Sequence, residues 1–274
     1  MTKPTPPILP RSWKQQYPFR LATTSFIFPA DYGENVDRLG PYVDEIELLM
    51  FESRPGGRPT RALVRSLASL AKEHHVTYNV HLPVDLDPTH PEASLRRQAC
   101  GTLQFFIETL LPLEPSVFVL HIVPPEGLGE GGELLRWQGR ASESLAEILR
   151  VGLDPRRLAL ENLSFPFSRL APVLVDRDLS VCLDTGHLAL QGGELDAFLT
   201  DFGERIAIAH LHGIEDGRDH APLTALPASY RAPLVRWLGR FQGTVSLEVF
   251  GLDALQTSLT CLDRLLARIA HGRD

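Results

Sequence analysis

Six apolar stretches of the sequence each finish on a side chain able to bind a metal ion or move a proton: His81, His121, Glu161, Asp184, His210 and Glu248. The stretch "LDTGHL", Leu183 to Leu188, is the densest of them, with an acid and an imidazole three residues apart behind the apolar run "LSVC". A strand end that needs only a cap uses Asn, Gly or Ser, so Asp184 and His187 ask for a chemical role. A further imidazole, His220, follows in "DGRDHAPL". Carboxylates and imidazoles together are the donors that zinc, manganese or iron prefer over a thiolate-rich or all-oxygen set. A single histidine at a strand end is more often a hydrogen-bonded structural residue, so the acids carry the weight. Asp and Glu are almost never fully buried unless paired. With few Lys or Arg at these strand ends, Glu161, Asp184 and Glu248 repel one another unless a dication lies between them.

The elements that must position these residues are read from hydrophobic pattern. Eight short β-rich runs alternate with polar or Gly/Pro breaks and helical segments: "FRLATTSFIF", "DEIELLMFE", "VTYNVHLP", "VFVLHIVP", "RLALENLS", "LSVCLDTGHL", "IAIAHLHGI" and "TVSLEVFG". Helical spacing is clear at Leu63, Leu67 and Leu70 and at Leu255, Leu259, Leu262 and Leu266, and weaker from Gly33 and from Leu163. Near-continuous apolar strands are buried on both faces, which in a βα alternation means a parallel sheet covered by helices. Eight units at this length predict an α/β fold, a closed (β/α)₈ TIM barrel, with an open doubly wound sheet as the alternative. Such barrels carry their active sites at the C-terminal ends of the strands, where the six ionisable residues fall. The barrel is expected to be a single domain over residues 19–274, after a loose proline-rich arm over residues 1–18.

Composition narrows the function classes. The chain has 274 residues, 43% hydrophobic and 22% charged, enough for one large core. Its 27 basic against 34 acidic residues leave a net charge of −7 with no basic block, which speaks against nucleic acid and for a small-molecule partner. Cys100, Cys182 and Cys261 are odd in number and far apart, as expected of buried thiols in a reducing compartment. No signal-type h-region opens the chain and no apolar run reaches about 18 residues, so a cytoplasmic protein without a membrane span is expected.

Other features carry less chemistry. "EGLGEGGE" has the glycines of a phosphate loop but no Lys, and its Glu126, Glu130 and Glu133 would repel phosphate, so it is read as a flexible βα loop. His74 and His75 suit a helix C-terminus, and His90 and His271 a solvated surface. Glu52 and Asp85 end or follow strands and are candidates for substrate contact, with turn or loop contacts as the alternative. Phe165, Phe167 and Phe250 in the βα loops are candidates for an apolar pocket wall, or for core packing.

The order His, His, Glu, Asp-x-x-His, His, Glu on successive strands resembles the xylose isomerase-like barrel superfamily, which includes sugar isomerases, epimerases and the endonuclease IV type of abasic-site nuclease. Within it, "RLATTSFIFPADY", "DEIELLMFES", "HLPVD", "ENLSF", "LDTGH" and "HLHGIEDGRDHAPL" resemble the cobamide-remodelling phosphodiesterases of the CbiR family more closely than the nucleases. The resemblance implies two or three divalent ions. His81, His121 and Glu161 would hold one, and Glu161, Asp184, His210 and Glu248 a second, so that Glu161 bridges. A third would take His187 and an Asp-x-His pair. This sequence departs there, because Asp219 and His220 are adjacent, and neighbours in an extended segment point to opposite sides. His220 is the better candidate, and both can serve one ion only where the loop bends.

Such an ion cluster performs metal-assisted phosphodiester hydrolysis, with Glu161 and Glu248 as the catalytic carboxylates that tune or accept protons from the attacking water. The resemblance implies a corrinoid (cobamide) substrate, cut between the nucleotide-loop phosphate and the ribose to cobinamide phosphate and an α-riboside, as a salvage step. The alternative is a sugar or keto-acid isomerase, which uses one metal at residues matching Glu161, Asp184, His210 and Glu248. An abasic-site nuclease is disfavoured by the acidic charge, and a non-catalytic barrel would bind metal weakly without turnover.

Overall fold

The computed structural model describes residues 8–271. Eight parallel strands close into a barrel: β1 (Arg20–Thr24), β2 (Glu45–Leu49), β3 (Thr77–His81), β4 (Phe118–Leu120), β5 (Leu158–Glu161), β6 (Ser180–Asp184), β7 (Ile206–Leu211) and, after a short antiparallel hairpin of β8 (Gly213–Glu215) and β9 (Arg218–Ala221), β10 (Thr244–Leu247). β1 pairs with both β2 and β10, which closes the sheet and excludes the open doubly wound alternative. All eight predicted strands are present, and the chain inserts the hairpin between the seventh and eighth of them.

Helices cover the barrel where the apolar spacing requires them. In α2 (Arg61–His74), the Thr60 hydroxyl caps the start by accepting from the Leu63 N–H, and His75 ends the helix in the left-handed region, φ 50°. Its inward stripe centres on Leu67, while in α9 (Leu252–His271) Leu255, Leu259 and Leu262 are fully buried. The two weaker segments are shorter helices. α1 (Tyr32–Leu39) is started by Asp31, whose carboxylate accepts from the Glu34 N–H. The segment after Leu163 passes through one 3₁₀ turn, Phe167–Leu170, before α5 (Ala171–Arg177).

The barrel interior is not an ordinary apolar core. The main core lies between the strands and the helices. Inside, buried apolar residues form a separate small cluster of Val117, Val119, Ala159, Cys182 and Ile208. Around it are buried acids. Glu45 fills the floor, where it accepts from Arg20 Nε (3.0 Å), Asn79 (2.9 Å), Ser116 (2.7 Å), Thr77 (2.9 Å) and Thr244 (2.9 Å). These donors come from β1, β3, β10 and the residues before β4, so the acid ties strands together below the site. Alternation along each strand then carries the next inward residues toward the C-terminal rim.

The arm expected to be loose is docked over its described part. Leu9 and Trp13 are buried, the Trp13 indole donates to Asp263 on α9 (3.1 Å), and the Tyr17 hydroxyl donates to the same carboxylate (2.6 Å). The Trp13 N–H donates to the Tyr42 carbonyl and the Gln15 N–H to the Asp44 carboxylate, which fixes the arm across the N-terminal face of the barrel, opposite the rim where the candidate site lies. Apolar anchors in a proline-rich, polar context hide a packed segment from a composition reading. Residues 1–7 of that arm, residues 272–274 and the His271 side chain lie outside the described residues. Among the described residues no helix is long and apolar enough to cross a membrane. Trp13→Ala is expected to cost about 3–5 kcal/mol, the range for deleting a buried large aromatic. Urea denaturation measures it; a loss near zero would show that the arm is not held in solution.

Candidate metal centre

Glu161, at the end of β5, lies at the middle of the rim. Its Oε2 is 3.1 Å from His81 Nε2 on β3 and 3.0 Å from His121 Nε2 just after β4. Its Oε1 is 3.2 Å from His187 Nδ1 and 3.6 Å from His210 Nδ1 on β7. Glu248, following β10, places Oε2 3.0 Å from His210 Nδ1. Asp184 ends β6 and also starts α6 (Thr185–Leu190), its Oδ1 accepting from the His187 N–H (2.6 Å). Its Oδ2 lies 2.9 Å from His212 Nε2. Asn162 clamps this corner: its side chain donates to the Asp184 carbonyl and accepts the Asp184 N–H.

The residues of "LDTGHL" thus divide the work. Asp184 caps the helix and faces the cluster, and the Thr185 hydroxyl donates to the His210 carbonyl, joining β6 to β7. A Cβ on Gly186 would lie 2.0 Å from His212 Cε1, so only glycine lets that imidazole close on Asp184. His187 sits one turn in and spans the site, with Nδ1 on Glu161 and Nε2 3.4 Å from Asp219 Oδ2.

All eight residues predicted as metal ligands come together. Donor atoms lie within 4.8 Å of one another in each of three sets: His81, His121 and Glu161; Glu161, Asp184, His210 and Glu248; and His187, Asp219 and His220. The third set required a bend, and the hairpin supplies it. Asp216 and Gly217 turn the chain with φ 52° and 74°, and His220 itself is left-handed at φ 55°, so that neighbouring Asp219 and His220 serve the same side. Asp219, the weaker candidate of the two in sequence, belongs in this set on equal terms. Two buried groups escape the sequence pattern, His212 and Glu47. His212 shares the inward face of β7 with His210 by the two-residue period of "HLH", a signal present in the sequence. Glu47 carries the same two-residue signal with Glu45 in "EIE", but it lies inside β2 rather than at a strand end.

The substrate-contact candidates fare differently. Glu52 pairs with Arg54 at the exposed rim. Asp85 accepts from the Ser53 N–H (3.0 Å) and hydroxyl (3.1 Å), tying the loop after β3 to the loop after β2. Phe165 is corrected: it is buried edge-on against Trp137, ring centroids 6.2 Å apart, and packs in the core rather than lining the rim. Phe167 is buried against Phe198 and Phe202 as well. Exposed rings lie elsewhere on the rim: Phe250 contacts His220 (5.0 Å) and Phe51 (6.3 Å), and Phe51 contacts Phe26 (5.1 Å). In the glycine-rich loop, Gly127 and Gly131 are left-handed and Glu130 pairs with Arg169. His74 closes α2, as its place at a helix C-terminus suggests, and pairs with Asp37 (2.9 Å).

The donors fit divalent ions. The carboxylates of Glu47, Glu161, Asp184, Asp219 and Glu248 form ion pairs with imidazoles alone among the described residues, with no Lys or Arg. Both nitrogens of the fully buried His210, with Glu47 Oε1 and Glu248 Oε2, make no formed hydrogen bond. Orphaned buried donors of this kind are costly unless something else completes them. The imidazoles also point the right way. His81 Nδ1 is 2.9 Å from the Leu82 carbonyl, which takes its N–H and leaves the Nε2 lone pair for the centre.

The electrostatics say the same. Burial lowers the pKa of His187, but Glu161 and Asp184 beside it override that and raise it to about 10. Burial likewise opposes the charge on His212, and Asp184 lifts it to about 9. Burial pushes Glu161 and Glu248 up, but the surrounding imidazoles hold both below the usual carboxylate range. Protons therefore occupy the imidazoles where cations would neutralise the acids.

Two outcomes follow for the protein stripped of metal. The raised imidazoles contribute stability that is full below about pH 6.5 and is lost as pH rises toward the folded values of about 9 and 10. The depressed carboxylates contribute stability that is full above about pH 4.5 and is lost on acidification. Denaturation midpoints are expected to peak between these limits and to fall on both sides; a midpoint still rising from pH 7 to 10 would contradict the assignment. Gly186→Ala is expected to drive His212 off Asp184 and weaken metal affinity about 10–100-fold, read by chelator competition. Unchanged affinity would show that the close approach does not matter to the centre.

In sequence, no curated protein matches the chain. Several solved structures share its fold. A D-tagatose 3-epimerase-like protein superposes with a TM-score of 0.74 at 18% identity, covering 93% of this chain and all of that one. Endonuclease IV from Thermus thermophilus gives 0.67 at 20% identity, over 91% and 99%. D-psicose 3-epimerase from Clostridium cellulolyticum gives 0.68 at 14% identity, over 93% and 98%. Residues 35–265, most of the chain, match the family model described as xylose isomerase-like TIM barrel. With the closed barrel and its ring of acids and imidazoles, that match makes the chain a member of the xylose isomerase-like TIM barrel family.

Proposed function

We propose that this chain is a metal-dependent phosphodiesterase with more than one ion, acting on cobamides at the bond between nucleotide-loop phosphate and ribose, in the manner of the CbiR family. One observation carries the reading: three donor sets meet at one rim, and two of them use residues that a single ion has no need of. His121 and the group of His187, Asp219 and His220 lie outside the four-residue set of Glu161, Asp184, His210 and Glu248.

Bound divalent ions supply positive charge for the phosphate oxygens and for the charge that develops on the attacking and leaving oxygens. The chain's own groups do the rest. Glu161, shared between two sets, would contribute to holding more than one ion and stays ionised among its imidazoles. Glu248, ionised and without a formed hydrogen bond at Oε2, is placed to accept a proton from the attacking water. His121 and His220, only partly buried, stand at the solvent side of the cluster where substrate arrives. The aromatic ledge of Phe26, Phe51 and Phe250 borders His220, and Phe26 and Phe250 remain 39% and 43% exposed. That ledge suits a substrate with a broad apolar body beside its phosphate, such as a corrinoid, more than a free sugar.

The second reading, a sugar or keto-acid isomerase with one metal, is favoured by the compactness of the four-residue set, which is complete by itself. Elemental analysis separates the two: more than one ion per chain is expected, and His121→Ala is expected to lose one and keep the rest. One ion in both proteins would favour the isomerase. Incubating the metal-loaded protein with a cobamide is expected to yield cobinamide phosphate and the free α-riboside by mass spectrometry. Glu161→Ala is expected to abolish that turnover with its far-ultraviolet circular dichroism unchanged. Absence of both products across zinc, manganese and iron would overturn the phosphodiesterase.

A further inference from the structure

Two glutamates on β2 face the barrel interior two residues apart, and only one is satisfied. Glu45 accepts from five side chains at the floor. Glu47 is equally buried, yet its Oε2 accepts only from the Ser246 hydroxyl (2.5 Å), and its Oε1 lies 2.8 Å from His210 Nε2. The opposite nitrogen of that ring, Nδ1, is 3.0 Å from Glu248, 3.6 Å from Glu161 and 3.9 Å from Asp184. His210 is thus held between one acid below and three above, fully buried, with neither nitrogen in a formed hydrogen bond.

A neutral imidazole has one N–H and one lone pair, and the group facing one nitrogen decides what the other can do. With the proton on Nδ1, the ring would present hydrogen to the place where the three rim acids converge and a lone pair to the Glu47 carboxylate. With the proton on Nε2, it donates downward to Glu47 and offers a lone pair upward. We propose that Glu47 is a positioning residue that selects the Nε2-protonated tautomer of His210 and so presents Nδ1 as the ligand to the ion held by Glu161, Asp184 and Glu248. This rests on reading that set as a metal centre. Among the described residues Glu47 forms its ion pair with His210 alone, so that ring is its direct route to the ion. Ser246, holding Oε2, keeps the carboxylate turned with Oε1 toward the ring. The remaining neighbour, Cys182, offers only a weak S–H donor and cannot accept the imidazole proton as a carboxylate does.

The test uses the full chain loaded with zinc. Nitrogen-15 spectra of the histidine rings are expected to show His210 protonated at Nε2 and ligating through Nδ1. Zinc affinity, by competition with a chromophoric chelator, is expected to fall about 10–100-fold in Glu47→Met and less in Glu47→Gln, which keeps an acceptor oxygen. Glu45→Gln, altered at the floor with no imidazole in contact, is expected to bind zinc as the wild type does even where its melting temperature drops. Wild-type affinity in Glu47→Met, an equal loss in Glu45→Gln, or a His210 proton on Nδ1 would each overturn the role of Glu47. Should Glu47→Met fail to fold, the ring spectra of the wild type decide alone. A wild type that binds no zinc would instead overturn the metal centre itself.

Discussion

Carboxylates gathered in a buried space need positive charge, and this barrel is organised around supplying it. Burial strips water from Glu161, Asp184 and Glu248 and raises the cost of their mutual repulsion. No Lys or Arg pairs with them among the described residues, so the neutralising charge comes from protonated imidazoles or from cations. Glu161 is the pivot, since its two oxygens face imidazoles from four different segments of the chain. Removing it would leave those rings facing one another.

The remainder of the fold reads as the means of holding those charges in place. Strand alternation stacks the acids in layers, Glu45 at the floor, Glu47 above it and the rim cluster above that. The floor acid is saturated by donors and stays inert. At the rim, Glu248 Oε2 and His210 Nδ1 make no formed hydrogen bond, and that free valence is what a metal ion can use. Gly186, the Asn162 clamp and the left-handed His220 are local concessions of backbone to this arrangement. Each lets a ring or a carboxylate approach closer than an ordinary loop allows.

Much of this is legible in the sequence, because period-two strands ending in ionisable residues have one natural place to put them. The barrel, its rim and the clustering of the six strand-end candidates follow from that pattern, while His187 and His220 lie in a helix and a hairpin beyond it. What escapes depends on contacts between distant segments or on backbone angles. The joint service of Asp219 and His220 needs φ 55° at His220, which no side-chain pattern announces. Glu47 looks like Glu45, an acid inside a strand, until β7 brings His210 to it. Phe165 and Phe250 are alike as sequence, both aromatic and both in loops, and only tertiary packing sends one to the core against Trp137 and the other to the rim beside His220. The arm defeats a composition reading because its apolar anchors are few among prolines, yet Asp263, 250 residues away, receives the Trp13 indole.

The same charge balance constrains the order of events in the proposed reaction. A phosphodiester is an anion, and the rim without cations presents Glu161, Asp184, Asp219 and Glu248 to it. Two unit charges 4 Å apart at an effective dielectric near 20 repel by about 4 kcal/mol, so a bare acidic rim would reject a phosphodiester. Imidazolium rings soften that repulsion, yet a ring protonated at both nitrogens has no lone pair with which to coordinate an ion. On the proposed reading, Glu161, Asp184, Asp219 and Glu248 would therefore have to hold their ions before a phosphate could approach the rim. A net charge of −7, and rim acids that pair with no arginine among the described residues, are thereby compatible with the proposed reading: cations from solution would supply the positive charge that other folds build into side chains, and the aromatic ledge would face the uncharged part of such a substrate.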